Sequence, residues 1–374
     1  MHYFIVAGEA SGDLHASQLM RELRMRDPQA RFTFLGGDLM AAEAGHGPLI
    51  HYRDMAFMGF SEVLRNLRTI SRNMTAARKA MLSCDADCFI AVDYPSFNLK
   101  LAKAARRHGM PVFYYISPKV WAWKSWRVKQ LRRYVKRVLS ILPFEMDYFS
   151  GKGVTVSYVG NPSMEEVDRR MTHDISATEL RRCAGVPEGK PLLALVPGSR
   201  RGEIRNNLPI MDAVARMHPE MEAVVAGAPG IEREFYNAYT GLPVAEGITF
   251  SLMHHADAAL VTSGTATLEC ALTGTPQVVC YRANGSRVSY WLMSRLVKCP
   301  FVSLPNLIAG RGVIPEMLLH RCTVESVDGE LRRILPGTKG REEQLEGYAL
   351  MRSRLGASPA APTAAQLIIN DLKQ

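Results

Sequence analysis

The sequence predicts an α/β protein made of two doubly wound lobes, each a mostly parallel sheet with helices on both faces. Short, nearly continuous apolar runs alternate with amphipathic stretches along the chain, the pattern of parallel strands buried on both sides. One polar, charged stretch interrupts the series in the middle, as a connector between lobes would. A chain of 374 residues also exceeds one ordinary core and suits two domains of roughly 150–200 residues.

In the first lobe, strands are expected at Tyr3–Ala7, Arg31–Leu35, Cys88–Val92, Val112–Ile116 and Val138–Leu142. Helical periodicity covers Asp13–Arg26, Val63–Leu82 and Phe97–Arg107. A break at Tyr158-Val159-Gly160-Asn161-Pro162 precedes the helix-prone Met164–Lys190, which places the lobe boundary near residue 165. The second series runs through Pro191–Val196, Glu222–Ala226, Ala258–Val261 and Gln277–Tyr281, again with helices between. A small-residue hinge, Gly356–Pro362, then leads to a last helix, Thr363–Leu372, which could pack on either lobe or on a second subunit. The expected division is 1–165, 166–356 and a terminal 357–374.

Hydrophobic residues form 47% of the chain and charged residues 22%, an ordinary globular composition that argues against disorder. The seven cysteines are odd in number and scattered, which suits a reducing compartment. Cys84 and Cys88 have no second pair at ligand spacing, so no zinc site is expected. The start, Met1–Ala7, runs straight into a glycine turn without a basic flank, so a cytoplasmic protein is expected. No apolar run approaches the ~20 residues that span a bilayer, and any membrane association would be peripheral. The net charge of +10 implies an anionic partner: phospholipid, nucleic acid or a phosphorylated substrate.

Ligands of open α/β sheets bind beyond the carboxyl ends of the strands, so the turns there are where chemistry is sought. The first is Gly8-Glu9-Ala10-Ser11-Gly12-Asp13. Its glycines allow close backbone approach, Ser11 or Asp13 can cap the next helix, and Glu9 is left facing the interlobe space. The glycine spacing is not that of a dinucleotide fingerprint. Asp93, at the end of Cys88–Val92 and held by Tyr94-Pro95, is the candidate general base; a turn acid bonding the next helix's amides is the competing role. In the second lobe Pro197-Gly198-Ser199-Arg200-Arg201-Gly202-Glu203 offers amides and two guanidiniums to a phosphate. Thr262-Ser263-Gly264-Thr265-Ala266-Thr267-Leu268-Glu269 repeats that character, with Glu269 placed to accept from ribose hydroxyls. No Walker lysine follows, which argues against triphosphate chemistry.

The stretch from Tyr114 to Arg127 gathers three of the four tryptophans among basic residues. Such a mixture suits an apolar and anionic interface, stacked nucleic acid, or packing between lobes. The basic amphipathic segment Lys129–Arg137, the arginine-studded Arg65–Arg78 and the apolar Met55–Phe60 together favour an anionic membrane surface over a plain solvated face.

Gly8–Asp13, Asp93-Tyr94-Pro95-Ser96-Phe97-Asn98, Ser117-Pro118-Lys119-Val120-Trp121-Ala122-Trp123, Leu142-Pro143-Phe144-Glu145, Pro197–Arg200, Ser263–Glu269 and Ser303-Leu304-Pro305-Asn306-Leu307, in this order, resemble the lipid-A-disaccharide synthase family over nearly the whole chain. Ser96 stands where family members often carry a second acid, and Val159-Gly160-Asn161-Pro162 where Gly-His-Pro is common. The resemblance implies two Rossmann-like lobes facing across a cleft, the glycosyltransferase B fold, with acceptor in the N-terminal lobe and nucleotide in the C-terminal one. It implies a metal-independent, inverting transfer from UDP-2,3-diacylglucosamine to 2,3-diacylglucosamine 1-phosphate, without a cofactor, at the inner face of the inner membrane.

On that reading Asp93 and Glu9 are catalytic. Ser199, Arg200, Glu203, Ser263, Gly264, Thr265, Ala266, Thr267 and Glu269 hold the donor. Gly8, Ser11, Asn98, Asn306, Arg311 and Glu316 meet substrate. Met55, Phe57, Met58, Phe60, Trp121 and Trp123 form the acyl and membrane patch. No nucleic acid partner is expected, and a homodimer is left open. The competing readings are another UDP-sugar enzyme of the same fold, an epimerase of UDP-N-acetylglucosamine or a peptidoglycan glycosyltransferase, and a non-catalytic basic module binding membrane or RNA.

Overall fold

A computed structural model describes residues 1–55, 66–121, 125–282 and 301–374. The chain forms two compact units, one of Met1–Pro162 with Ala357–Gln374 and one of Ser163–Gly356.

The first unit holds six strands: β1 His2–Ala7, β2 Arg31–Leu35, β3 Cys88–Val92, β4 Val112–Tyr115, β5 Arg137–Ser140 and β6 Val156–Tyr158. They pair in parallel in the order β2-β1-β3-β4-β5-β6. Its helices are α1 Ala10–Arg26, α2 Asp38–Ala44, α3 Leu67–Ser83, α4 Pro95–Arg107, α5 Val128–Tyr134 and α6 Glu145–Ser150. Successive side chains of a strand point to opposite faces, and β1 shows it. Phe4 and Val6 join the core that packs on α4 and α5, while Tyr3, Ile5 and Ala7 join the core under α1.

The second unit begins with α7 Pro162–Met171 and α8 Ala177–Ala184, then alternates β7 Leu192–Val196, α9 Arg201–Ala215, β8 Glu222–Gly227, α10 Arg233–Asn237, β9 Val244–Glu246, α11 Thr249–His255, β10 Ala258–Thr262, α12 Thr265–Leu272 and β11 Gln277–Tyr281. It continues with α13 Leu304–Ala309, β12 Glu316–Leu318, α14 Val324–Arg333 and α15 Lys339–Leu355. Its strands are again all parallel, in the order β12-β11-β10-β7-β8-β9. The doubly wound α/β class expected from the sequence is therefore what both sheets show.

The last helix, α16, spans Ala360–Lys373 and lies on the first unit. Ala364, Ala365, Ile368 and Ile369 are buried with α1 and the strands beneath it. Arg137 clamps Asp371 through two bonds of 2.7 and 2.9 Å, and Lys136 donates to the Asp371 carbonyl. The helix starts three residues before Thr363 because Pro362 falls in its first turn, where a missing N–H costs nothing. As the chain approaches this helix it runs against Gly160, whose φ is +106° and where any Cβ would fall 1.9 Å from the Ser358 carbonyl oxygen.

Three strands escaped the sequence reading: β6, β9 and β12, each of three residues and each at a sheet edge. An edge strand is covered less and need not be a continuous apolar run.

Candidate functional site

Adjacent strands of the first sheet bring three turns together. β1 ends at Gly8-Glu9, its neighbour β3 at Asp93-Tyr94, and β4 at Ile116-Ser117. Three of the five non-glycine residues with positive φ among the described residues sit here: Asp93 at 43°, Tyr94 at 45° and Ile116 at 61°. Such conformations cost about 1–3 kcal/mol each and gather at functional sites.

The strained turn at Asp93 is held through its backbone. Its carbonyl accepts from the Tyr114 hydroxyl at 2.6 Å and the Asn98 amide at 2.8 Å, and its N–H donates to Tyr115 at 3.1 Å. The Asp93 carboxylate is bonded by the Tyr94 backbone N–H and feels the charges of Glu9 and Lys119. Burial pushes the Asp93 carboxyl up to about 6, the nearby Glu9 adds to the rise, and Lys119 opposes it. A carboxylate of this kind is mostly ionised at pH 7 yet basic enough to take a proton. The Tyr94 ring lies where a side chain on Gly8 would be, with an added Cβ only 2.3 Å from it, and the Tyr94 hydroxyl donates to the Met55 carbonyl at 2.7 Å.

Several expected roles change here. Neither Ser11 nor Asp13 caps α1; Glu9 occupies the N-cap position without a side-chain bond. Asp13 is buried and accepts from the amides of Gly37, Leu39 and Met40, so it closes the start of α2 instead. Asn98 is fully buried and its amide donates to the carbonyls of Val6, Val92 and Asp93, which makes it a brace of the turn rather than a substrate contact. Met55 is buried in the core and offers no apolar surface. Trp121 is turned inward by an indole N–H bond of 2.9 Å to Glu145 and packs edge-on against Phe144. Phe57, Met58, Phe60 and Trp123 lie outside the described residues.

Glu145 closes the Leu142–Glu145 motif but received no role from the sequence. It is 1% exposed and accepts from Ser117, Trp121 and Ser140; this role is not legible locally, since its partners sit in the loop after β4 and at the end of β5.

In the second unit, Arg200 is the N-cap of α9. Glu203 folds back, accepting from the Ser199 amide at 3.0 Å and standing 3.6 Å from Arg200. It therefore occupies an amide that was expected to be open to phosphate. Arg201 turns away to Glu232 and over the Phe235 ring, so only one of the two expected guanidiniums stays by the turn. After β10, Gly264 precedes α12, and the first amides of a helix have no partner inside it. Thr267 departs from expectation: its N–H and hydroxyl both go to the Gly264 carbonyl. Burial raises the Glu269 carboxyl, Arg170 opposes the rise and Glu166 adds to it. The Thr262 hydroxyl, at the end of β10, is buried with no partner among the described residues.

Asn306 and Glu316 bond chiefly to their own unit's backbone and to each other. Asn306 is buried, accepts from Val313 and Ile314, and donates to Ile314 and Glu316. Glu316 also accepts from Val302 and Ser303. With Arg311 they line a cavity of about 830 Å³ by the edge strand β12, a cavity that neither the Ser199 turn nor the Ser263 turn enters. The one grouping of possible metal ligands among the described residues is Asp174, His254 and His255. His254 Nδ1 meets Asp174 at 2.7 Å, and His255 Nε2 meets the Ile175 carbonyl at 2.7 Å. A carbonyl only accepts, so that nitrogen carries a proton and is not poised as a ligand.

The family model of lipid-A-disaccharide synthetase matches residues 3–360. The chain belongs to this family. It is thus a glycosyltransferase of lipid A synthesis. The lipid-A-disaccharide synthase of Myxococcus xanthus is 43% identical over 375 residues, covering 98% of this chain and 96% of the relative. Among solved structures, the UDP-GlcNAc 2-epimerase of Neisseria meningitidis bound to UDP-GlcNAc superposes with a TM-score of 0.65 at 12% identity, covering all of both chains. A calicheamicin glycosyltransferase does so at 0.60 and 15%, covering 100% of this chain and 98% of that one. These likenesses establish the glycosyltransferase B fold. Among the described residues of this family member, no helix is long and apolar enough to cross a membrane.

Proposed function

We propose that the first unit receives 2,3-diacylglucosamine 1-phosphate, and that the second binds UDP-2,3-diacylglucosamine. The observation that carries this reading is the Asp93–Glu9 pair, one carboxyl of which is raised to about 6, in a chain of this family. Asp93 takes the proton of the acceptor's 6-hydroxyl as that oxygen bonds to the donor's anomeric carbon. The bond from that carbon to the diphosphate breaks, its electron pair leaving with UDP. A single displacement of this kind inverts the centre and gives the β-1,6 disaccharide phosphate.

Arg200 and the amides opening α12 stabilise the charge that grows on the departing diphosphate. Glu269 accepts from the ribose. A nucleotide sugar in the second unit is consistent with the UDP-GlcNAc held by the epimerase of like fold. Because cationic and amide groups supply this stabilisation, no divalent ion or cofactor is assigned a role, and turnover persists in excess chelator; its loss there defeats that part of the proposal. Exposed Arg68, Arg72, Arg78 and Lys79 on α3, with Lys129, Arg132 and Arg133 on α5, suit a peripheral protein on the anionic inner face of the inner membrane.

The direct test is incubation with both acylated substrates and mass detection of the product. A disaccharide phosphate with release of UDP is expected. Turnover of UDP-N-acetylglucosamine alone to an epimer, with no disaccharide, refutes the reading.

A further inference from the structure

The loop after β4, Ser117-Pro118-Lys119-Val120-Trp121, begins at the strained Ile116 and has a single exposed residue, Lys119, between buried neighbours. It is tethered near both ends to one side chain. Glu145, in the first turn of α6, accepts from the Ser117 hydroxyl at 2.6 Å on one carboxylate oxygen and from the Trp121 indole at 2.9 Å on the other. The Ser140 hydroxyl, from β5, bonds to the first of these oxygens. The middle of the loop is fastened too, since the Tyr148 hydroxyl of α6 donates to the Val120 carbonyl at 3.3 Å.

A carboxylate that is 1% exposed and, among the described residues, bonded by neutral donors is expensive to bury. It is better explained by what it holds than by what it adds to stability. The loop it holds carries Lys119, whose charge acts both on Asp93 and on Glu145.

We propose that Glu145 is a positioning residue for the transfer reaction: by clamping the Ser117–Trp121 loop after β4 it fixes the Lys119 ammonium beside the Asp93 carboxylate at the end of the adjacent strand β3. This rests on Asp93 being the base. Among the described residues, the groups acting on the Asp93 carboxylate are Glu9 from the turn after β1, Lys119 from the loop after β4 and the Tyr94 backbone N–H from its own turn. The Tyr114 hydroxyl is bonded to the Asp93 carbonyl, and Arg127 acts on Tyr114 and bonds Ser96. Among these Lys119 is the cation that acts on the Asp93 carboxylate directly.

The test is the pH profile of kcat/KM, whose acid limb reports the base of the free enzyme. The acceptor phosphate titrates identically for every variant, so differences between profiles belong to the protein. Lys119→Met removes the cation and shifts the acid limb upward by about 0.5–1 pH unit. Glu145→Gln keeps size and shape, and its direct electrostatic effect, loss of a negative charge, would move the limb downward. An upward shift in Glu145→Gln, not increased further in the double variant with Lys119→Met, is the expected result and reports a lost lysine position. A limb that stays or moves downward overturns the proposal. If Glu145→Gln does not fold, Trp121→Phe, which removes the indole donor and keeps a smaller aromatic ring, must show the upward shift instead. Asp93→Asn separates the two levels. If it retains the wild-type rate, the base assignment has failed; if it is inactive while the limb ignores Glu145 and Lys119, only the positioning role has.

Discussion

Replacing Asp93 with asparagine tests both chemistry and stability. The bonds from Tyr114 and Asn98 and to Tyr115 use the backbone of Asp93, and an asparagine oxygen can still accept from the Tyr94 N–H that bonds the carboxylate, so the substitution keeps the local geometry and removes the charge. As a lost general base, it should lower kcat by about 10²–10⁴-fold.

The stability effect has the opposite sign. Folding lifts the Asp93 carboxyl from its ordinary 3.8 to about 6, so between those values the folded state binds more protons than the unfolded one. Stability contributed by this group therefore falls as pH rises through that window and stays reduced above it. At pH 7 the penalty is about 3 kcal/mol at most, taking roughly 1.4 kcal/mol for each unit of that lift. Asp93→Asn removes the penalty, so at pH 7 the variant should melt a few degrees above the parent, and the difference should vanish near pH 3.5. Scanning calorimetry at several pH values beside disaccharide formation measures both effects. A variant keeping more than a tenth of the parent's kcat, or one whose melting difference from the parent is the same at pH 7 as at pH 3.5, refutes the reasoning.

Arg200→Ala, read by UDP titration calorimetry and by kcat, should weaken nucleotide binding by about 10–100-fold, the worth of a charge-assisted bond of about 1.5–3 kcal/mol; unchanged UDP affinity would remove Arg200 from the donor site. Gly8→Ala puts a methyl group into the Tyr94 ring and should cost about 1–3 kcal/mol together with most of the activity, whereas a fully active, equally stable variant would show that the ring contact is not needed. Ile368→Ala empties a fully buried position under α16 and should lower stability by about 2–5 kcal/mol in denaturant unfolding, with a loss below 1 kcal/mol meaning that the helix is not anchored there.

The apolar runs, the glycine turns and the acid at the end of β3 were legible because each is a local pattern. A strand buried on both faces must be apolar throughout, and a turn at its carboxyl end must carry the residues its backbone allows. The family was equally legible, since its motifs are short and occur in a fixed order. The three edge strands were not, because three residues at a sheet edge need no distinctive pattern.

What the tertiary structure decided are the properties that depend on distance between remote segments. β1, β3 and β4 are spatial neighbours only through the sheet order, and that order sets Glu9 and Lys119 near Asp93 and lifts its carboxyl. It likewise turned Asn98 and Asn306 from apparent ligand contacts into braces, moved Asp13 from the expected cap of α1 to the start of α2, and made Glu145 a clamp for a loop some 25 residues before it. It settled α16 against α1, a choice its own amphipathic sequence left open. Electrostatic and hydrogen-bonding roles belong to pairs of atoms within a few ångströms, and only the folded chain says which pairs those are.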